Sequence, residues 1–181
     1  MMAGMHPPEP NLAELAQEVV AALQRSGRQL VLAESCTAGL VAASLGGVPG
    51  VSEFLCGSAV VYQERTKTAW IDVSKRLLAE AGAVTSDVAN AMCAGALERT
   101  PFADIAAAVT GHLGPNGPEG LDGVIFVAVQ RRGAIAVIER HVLAPGQMGM
   151  DRPLRLQRQT RAAAIVLMAI VDALEHDSGH S

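Results

Sequence analysis

Three short stretches of this chain combine residue types that can carry out acyl-transfer chemistry. The first, Ala33-Glu-Ser-Cys-Thr-Ala-Gly39, follows an apolar run of strand length and precedes a run of helix-forming residues. A serine at such a junction presents its hydroxyl. The backbone N–H groups after it lie at a positive helix end, where they can hold an oxyanion or a phosphate. Ser35 is therefore a candidate nucleophile, although Ser35 or Thr37 can equally be a plain helix cap. Cys36 competes for the role, but a lone cysteine beside a helix is more often buried and inert.

The second stretch is Tyr62-Gln-Glu-Arg-Thr-Lys67, which holds the only tyrosine of the chain. A lysine desolvated in a cleft loses its proton near neutral pH and becomes a general base; left in water it is an ordinary surface cation. Ser35 and Lys67 are too far apart in sequence for the local Ser-x-x-Lys arrangement. The third stretch, Thr110-Gly-His-Leu-Gly-Pro-Asn-Gly117, can turn successive N–H groups into an anion nest, a pattern it shares with any Gly-Pro-rich loop. His112 stands alone there. Arg152, Arg155, Arg158 and Arg161 recur every three residues further on. A solvated helix face accounts for most of them, with one or two able to reach a phosphate. No His, Cys or carboxylate cluster has metal-ligand spacing, so neither a catalytic metal nor a cofactor is expected.

The elements that must position these residues can be read from periodicity. Asn11 and Glu14 have capping-box spacing, and Leu12, Leu15, Ala16, Val19, Val20 and Leu23 follow a helical period that Gly27 ends. Leu30 to Ala33 reads as a buried strand and Ala38 to Leu45 as a helix lying close on a sheet. Ser58 to Tyr62 reads as a second strand, followed by a polar connection through Lys67 and a short helix over 74–81. Ser86 or Asp87 is expected to cap a helix running to Arg99. Asp104 to Thr110 is a further buried strand. Gly123 to Gln130 and Ala134 to Val142 form a hairpin, and a helix from Asp151 to Glu175 closes the fold. The expected architecture is α/β: a single-domain three-layer α/β/α sandwich with a mixed sheet that includes a late antiparallel hairpin, spanning residues 11–175. Residues 1–10 and 176–181 read as disordered tails.

Composition narrows the class. Half of the 181 residues are apolar but only 3 % are aromatic, so the core must be built from Ala, Val, Leu and Ile. The formal charge of −4 argues against a non-specific nucleic-acid binder. The longest apolar run, Ala162 to Val171, has ten residues where a bilayer needs about 20. Three cysteines without a CxxC pair suit a reduced, cytoplasmic compartment.

At these same residues the sequence resembles the CinA C-terminal-domain family, whose enzymatic members are amidases of nicotinamide mononucleotide. Leu32-Ala-Glu-Ser-Cys-Thr-Ala-Gly-Leu40 is close to the family's A-E-S-C-T-G-G-L signature. Val60 to Lys67 keeps the family's Tyr and Lys five apart. Gly82-Ala-Val-Thr-Ser86 and the loop Thr110 to Gly117 are similar as well. The resemblance implies that Ser35 attacks the carboxamide carbon. Lys67, with Tyr62, would take its proton and pass it to the leaving ammonia, and Thr110 would help position these groups. It implies substrate contacts at Glu34, Cys36, Thr37 and Gly39 on the first turn, at Gly111, Gly114 and Asn116 on the loop, and at Arg155. The implied partner is a pyridine nucleotide, with no nucleic acid or membrane, in a homo-oligomer.

The loop departs from the family pattern at His112, Leu113 and Pro118, and Leu121-Asp122-Gly123 stands for Pro-Val-Gly. Arg155 matches only after one inserted residue. A leucine at 113 is expected to narrow the pocket, and Pro118 removes a donor. Two readings follow. An amidase requires Ser35 and Lys67 within hydrogen-bond reach. A catalytically silent nucleotide-binding or partner-binding module would turn Lys67 to solvent or fill the pocket with Leu113.

Overall fold

The computed structural model describes residues 10–143 and 152–176. The two expected tails lie almost wholly outside the described residues. Asn11 starts the first helix, α1 (Leu12–Ser26), by accepting from the N–H groups of Ala13 and Glu14 through its side chain, and Gly27 ends it at φ 65°. Only glycine takes that left-handed turn cheaply. The buried stripe of α1 is Ala16, Val19, Val20 and Leu23, as its period predicts.

The sheet has five strands: β1 (Leu30–Glu34), β2 (Leu55–Val60), β3 (Ile105–Gly111), β4 (Val124–Arg131) and β5 (Val137–Val142). Their order is β2-β1-β3-β4-β5. β1 runs parallel to β2 and β3, whereas β3–β4 and β4–β5 are antiparallel. All five residues of β1 are buried, as befits a strand covered on both faces.

One face carries α1, α2 (Leu40–Gly46) and α6 (Leu154–Glu175), packed on Leu30, Leu32, Ile105, Val109, Ile125 and Val127. The other carries α3 (Glu64–Ile71), α4 (Lys75–Ala81) and α5 (Ser86–Arg99), over Val31, Ala33, Ala106, Ala108 and Ala128. The alanines on that face let α5 lie close to the sheet. At Gly95 of α5 a methyl group would run into the Ile71 carbonyl, so α3 and α5 touch through backbone. The three-layer sandwich and the late hairpin are as the sequence indicates.

Several boundaries move. β2 begins at Leu55, three residues before its expected start, because it pairs with β1 from that point, and Tyr62 lies beyond its end. The stretch expected as a polar connection is the helix α3, and Lys67 sits on it. α2 starts at Leu40 rather than Ala38, since Ala38 and Gly39 have φ of 54° and 93°. Thr85, not Ser86 or Asp87, caps α5 by accepting from the Val88 N–H at 3.3 Å. α6 opens after Pro153, and the expected start at Asp151 lies outside the described residues.

Candidate active site

The carboxyl ends of β1 and β3 meet the start of α6 on one edge of the sheet, the usual place for ligands in open α/β folds. Ser35 follows β1 directly, and its N–H donates to the Val109 carbonyl at 3.0 Å, which ties it to β3. Lys67 reaches across from the first turn of α3. Its Nζ donates to Ser35 Oγ at 2.8 Å and to the Val61 carbonyl at 2.8 Å. The residue is 1 % exposed. That burial pushes its pKa below the ordinary lysine value, with Cys36 and Glu64 opposing only in part. Ser35 itself is 7 % exposed. The two residues, 32 apart in sequence, thus form one hydrogen-bonded pair of hydroxyl and depressed amine.

Cys36 is the wrong kind of neighbour for a nucleophile. It packs into the core on the α1 and α6 side, and burial pushes its thiol up to about 12. A thiol held neutral at that level supplies almost no thiolate at neutral pH.

Glu34, expected on the substrate, turns inward. Its Oε2 accepts from Thr37 Oγ1 at 2.8 Å and from the N–H groups of Gly39 and Val41 at 3.0 and 3.1 Å. Its Oε1 accepts from the Ala42 N–H at 2.9 Å and from Ser58 Oγ at 3.1 Å. Every partner is a donor and the residue is 1 % exposed, so an ionised carboxylate closes the α2 N-terminus from within. Of the N–H groups that the sequence offers to an oxyanion or phosphate, those of Gly39, Val41 and Ala42 are consumed. Thr37 is likewise committed, since its carbonyl accepts from Gln159 Nε2 on α6 at 2.8 Å. Nothing in the sequence flagged Gln159.

The other expected residues divide. Tyr62 is half exposed, and its hydroxyl accepts from Arg155 Nη2 at 2.5 Å rather than bonding Ser35 or Lys67. Arg155 Nη1 also donates to the Gly114 carbonyl at 3.1 Å, so this exposed guanidinium joins α6 to both the 62–67 segment and the glycine loop. Thr110 is buried and donates to the Ala83 carbonyl at 2.7 Å, tying β3 to the segment before α5. A methyl at Gly111 would strike Ile125 and the Val124 carbonyl. Gly114, at φ 63°, sits against Asp122 and Arg158, and its bond to Pro115 is cis. Asn116 is exposed at the loop tip with φ 70°.

Two expectations about the loop and α6 are corrected. Leu113 does not narrow a pocket; it is 1 % exposed and packs in the core between α1 and α6. Arg158 is not on a solvated face. It is 4 % exposed, pairs with Asp122 Oδ2 at 2.9 Å and donates to the Leu113 carbonyl at 3.3 Å, clamping both ends of the loop. The loop therefore turns the carbonyls of Leu113 and Gly114 toward α6. Among the described residues, no group of three or more His, Cys, Asp or Glu is placed to hold a metal.

The chain matches the family model described as the CinA C-terminal domain over residues 12–169. It belongs to the CinA C-terminal domain family. A CinA-like protein of Desulfotalea psychrophila is 42 % identical over 116 residues, covering 63 % of this chain and 28 % of that protein. A CinA-like protein of Myxococcus xanthus is 40 % identical over 127 residues, 69 % of this chain and 30 % of the relative. The chain thus spans about three-tenths of the length of these curated relatives. The crystal structure of the competence damage-inducible protein A from Klebsiella pneumoniae superposes with a TM-score of 0.83 at 31 % identity, covering 92 % of this chain and 99 % of that one. A competence/damage-inducible protein from Agrobacterium tumefaciens gives 0.80 at 28 %, with 96 % and 99 % covered. Members of the family with such coverage share the whole three-layer fold. No helix of the described residues is long and apolar enough to cross a membrane.

Proposed function

We propose that this chain is an amidase that hydrolyses nicotinamide mononucleotide to nicotinate mononucleotide and ammonia, with Ser35 as nucleophile and Lys67 as its base. The observation that carries the reading is the 2.8 Å contact between Lys67 Nζ and Ser35 Oγ in a site where burial disfavours the ammonium form. With the lysine neutral, its lone pair faces the serine hydroxyl. As Oγ attacks the carboxamide carbon, the proton passes to Nζ and the carbonyl oxygen takes the negative charge. Collapse expels the amide nitrogen, which takes the proton from Nζ and leaves as ammonia. Water, deprotonated by the same lysine, then cleaves the acyl-enzyme and frees Ser35.

Arg155 suits the substrate phosphate. Two of its five N–H donors are spent on Tyr62 and Gly114, which fix the guanidinium plane, and three remain for an anion. Tyr62 then acts by orienting Arg155, and Thr110 by fixing the end of β3. The reading as a silent binding module needed Lys67 in solvent or Leu113 in the pocket; the buried positions of both support the amidase instead.

The test is ammonia release from nicotinamide mononucleotide by wild type, Ser35→Ala and Lys67→Ala. Turnover by wild type with a drop of about a hundredfold or more in either variant is expected. A folded wild type that releases no ammonia refutes the assignment.

A further inference from the structure

Two arginines one turn apart on α6 hold adjacent carbonyls of the glycine loop. Arg155 Nη1 donates to the Gly114 carbonyl at 3.1 Å, and Arg158 Nη1 donates to the Leu113 carbonyl at 3.3 Å. Their spacing along the helix puts both side chains on the same side of it. Their surroundings differ. Arg155 is exposed at the mouth, where its Nη2 also donates to the Tyr62 hydroxyl. Arg158 is buried and is balanced by Asp122 Oδ2 at 2.9 Å, from the far end of the same loop. Backbone closes around this pair. A methyl at Gly114 would strike both Asp122 Oδ1 and Arg158 Nη1, and one at Gly123 would stand 3.1 Å from Arg158 Cζ. The ion pair therefore fills a slot between two glycines that admits no side chain, which leaves the loop little freedom to slide along α6. A buried guanidinium is costly to leave without its carboxylate, so the pair holds as a unit.

We propose that the Asp122–Arg158 ion pair is a positioning device for Arg155, fixing its guanidinium for the substrate phosphate and so setting the preference for a phosphorylated nucleotide; the identity of that substrate rests on the amidase reading. The device works by geometry. A guanidinium held by Tyr62 alone swings about a single hydrogen bond. A second acceptor on a different segment fixes its plane, and a fixed plane is what two parallel bonds to a phosphate require. That second acceptor is the Gly114 carbonyl, and the carbonyl beside it, Leu113, is the one that Arg158 holds. The Leu113 side chain anchors the loop in the core, which sets its depth but not the rotation of the peptide planes that follow. Gly114, at φ 63° and without a side chain, has no anchor of its own. The clamp supplies one. It bears on binding and leaves the chemistry alone, because the side-chain bonds of Ser35 and Lys67 run to each other and to the Val61 carbonyl. Asp122 and Arg158 are thus positioning residues, acting on the substrate only through Arg155.

The experiment separates the clamp's effect on Arg155 from its effect on stability. Asp122→Val combined with Arg158→Met removes both charges together, a replacement that buried ion pairs often tolerate. Ammonia release from nicotinamide mononucleotide is followed for wild type, this double variant, Arg155→Ala and the triple variant. The double variant is expected to keep kcat within about twofold while KM rises by about tenfold or more. In the Arg155→Ala background the same two replacements are expected to change KM by less than about twofold, since the group they would misplace is already gone. Should the double variant fail to fold, Asp122→Asn, which keeps the shape of the side chain, is expected to raise KM in the same direction. An unchanged KM, a loss that falls on kcat instead, or a rise in KM that persists undiminished without Arg155 overturns the proposal. Calorimetric titration with nicotinamide mononucleotide distinguishes its failure from that of the amidase reading. A wild type that releases no ammonia but binds the nucleotide, and loses affinity with the ion pair, refutes the amidase and supports the clamp. A wild type that turns over the nucleotide but binds it equally well without the ion pair keeps the amidase and overturns the clamp.

Discussion

Replacing Glu34 by glutamine tests whether an ionised carboxylate organises the turn that carries Ser35. Its two oxygens accept from five donors, three on Oε2 and two on Oε1. Glutamine has one oxygen. Its better orientation places that oxygen where Oε2 was, keeping Thr37, Gly39 and Val41. The amide nitrogen then faces the Ala42 N–H, while the Ser58 hydroxyl can rotate to accept. One orphaned, half-buried N–H costs about 1–3 kcal/mol. Three bonds that fall from charge-assisted to neutral lose about 1 kcal/mol each. Burying a neutral amide in place of a carboxylate offsets part of this. The net loss is about 2–4 kcal/mol, and with about 2–4 °C per kcal/mol in a domain of this size the melting temperature falls by about 5–15 °C. Calorimetry of wild type and Glu34→Gln at neutral pH reads the difference directly. A change within about 0.5 kcal/mol, the range of ordinary surface substitutions, would refute the reasoning that Glu34 is an ionised cap on α2.

Four further outcomes are expected. Burial lowers the Lys67 pKa, so amidase activity should rise with pH on a limb whose midpoint lies below the ordinary lysine value of 10.5, and Lys67→Arg, which cannot deprotonate, should abolish it. Between that lowered pKa and 10.5 the unfolded chain binds the extra proton, so wild-type stability relative to Lys67→Met should grow as pH rises and shrink as pH falls, read by urea melts. Ala38→Gly should be neutral or stabilising by up to about 1 kcal/mol in urea melts, because φ of 54° costs alanine about 1–2 kcal/mol while glycine adds about 0.4–1 kcal/mol of unfolded-state entropy. Gly114→Ala should destabilise by at least about 2 kcal/mol in the same assay, since its methyl group would be driven into Asp122 and Arg158 at a positive φ.

The parts of the fold that were legible in the sequence are those with a strong local signal. The α1 period, its Asn11 cap and the buried run of β1 stand where patterning puts them, and the β4–β5 hairpin forms as expected except that β5 begins at Val137 rather than Ala134. α3 was hidden because Glu64-Arg-Thr-Lys-Thr-Ala has no apolar period, and its cap residue Gln63 makes no side-chain cap bond. That omission mattered, because it is this helix, packed on α5 just after β2, that carries Lys67 into the interior. The direction of the Glu34 side chain was illegible for a different reason. An acidic residue beside a nucleophile suits substrate contact and helix capping equally, and only the positions of Gly39, Val41 and Ala42 separate the two. Arg158 was not singled out, because an i, i+3 series looks like a charged face. Asp122, 36 residues away, is what makes its burial tolerable.

These two inward charges bear on where an anionic substrate can be held. Glu34 fills the positive end of α2, so that helix has no donors left for a phosphate. Arg158 draws the loop carbonyls of Leu113 and Gly114 toward α6, so the glycine loop offers oxygens on that side where its sequence suggested N–H groups. Side chains of the protein thus take up part of each backbone anion site that the motifs advertise. Arg155 stands at the mouth with donors to spare, and it bonds neither Ser35 nor Lys67. On the amidase reading, anion recognition and bond cleavage reside on separate elements, α6 for the one and β1 with α3 for the other. Removing the guanidinium should then weaken substrate binding while leaving the hydroxyl–amine pair intact.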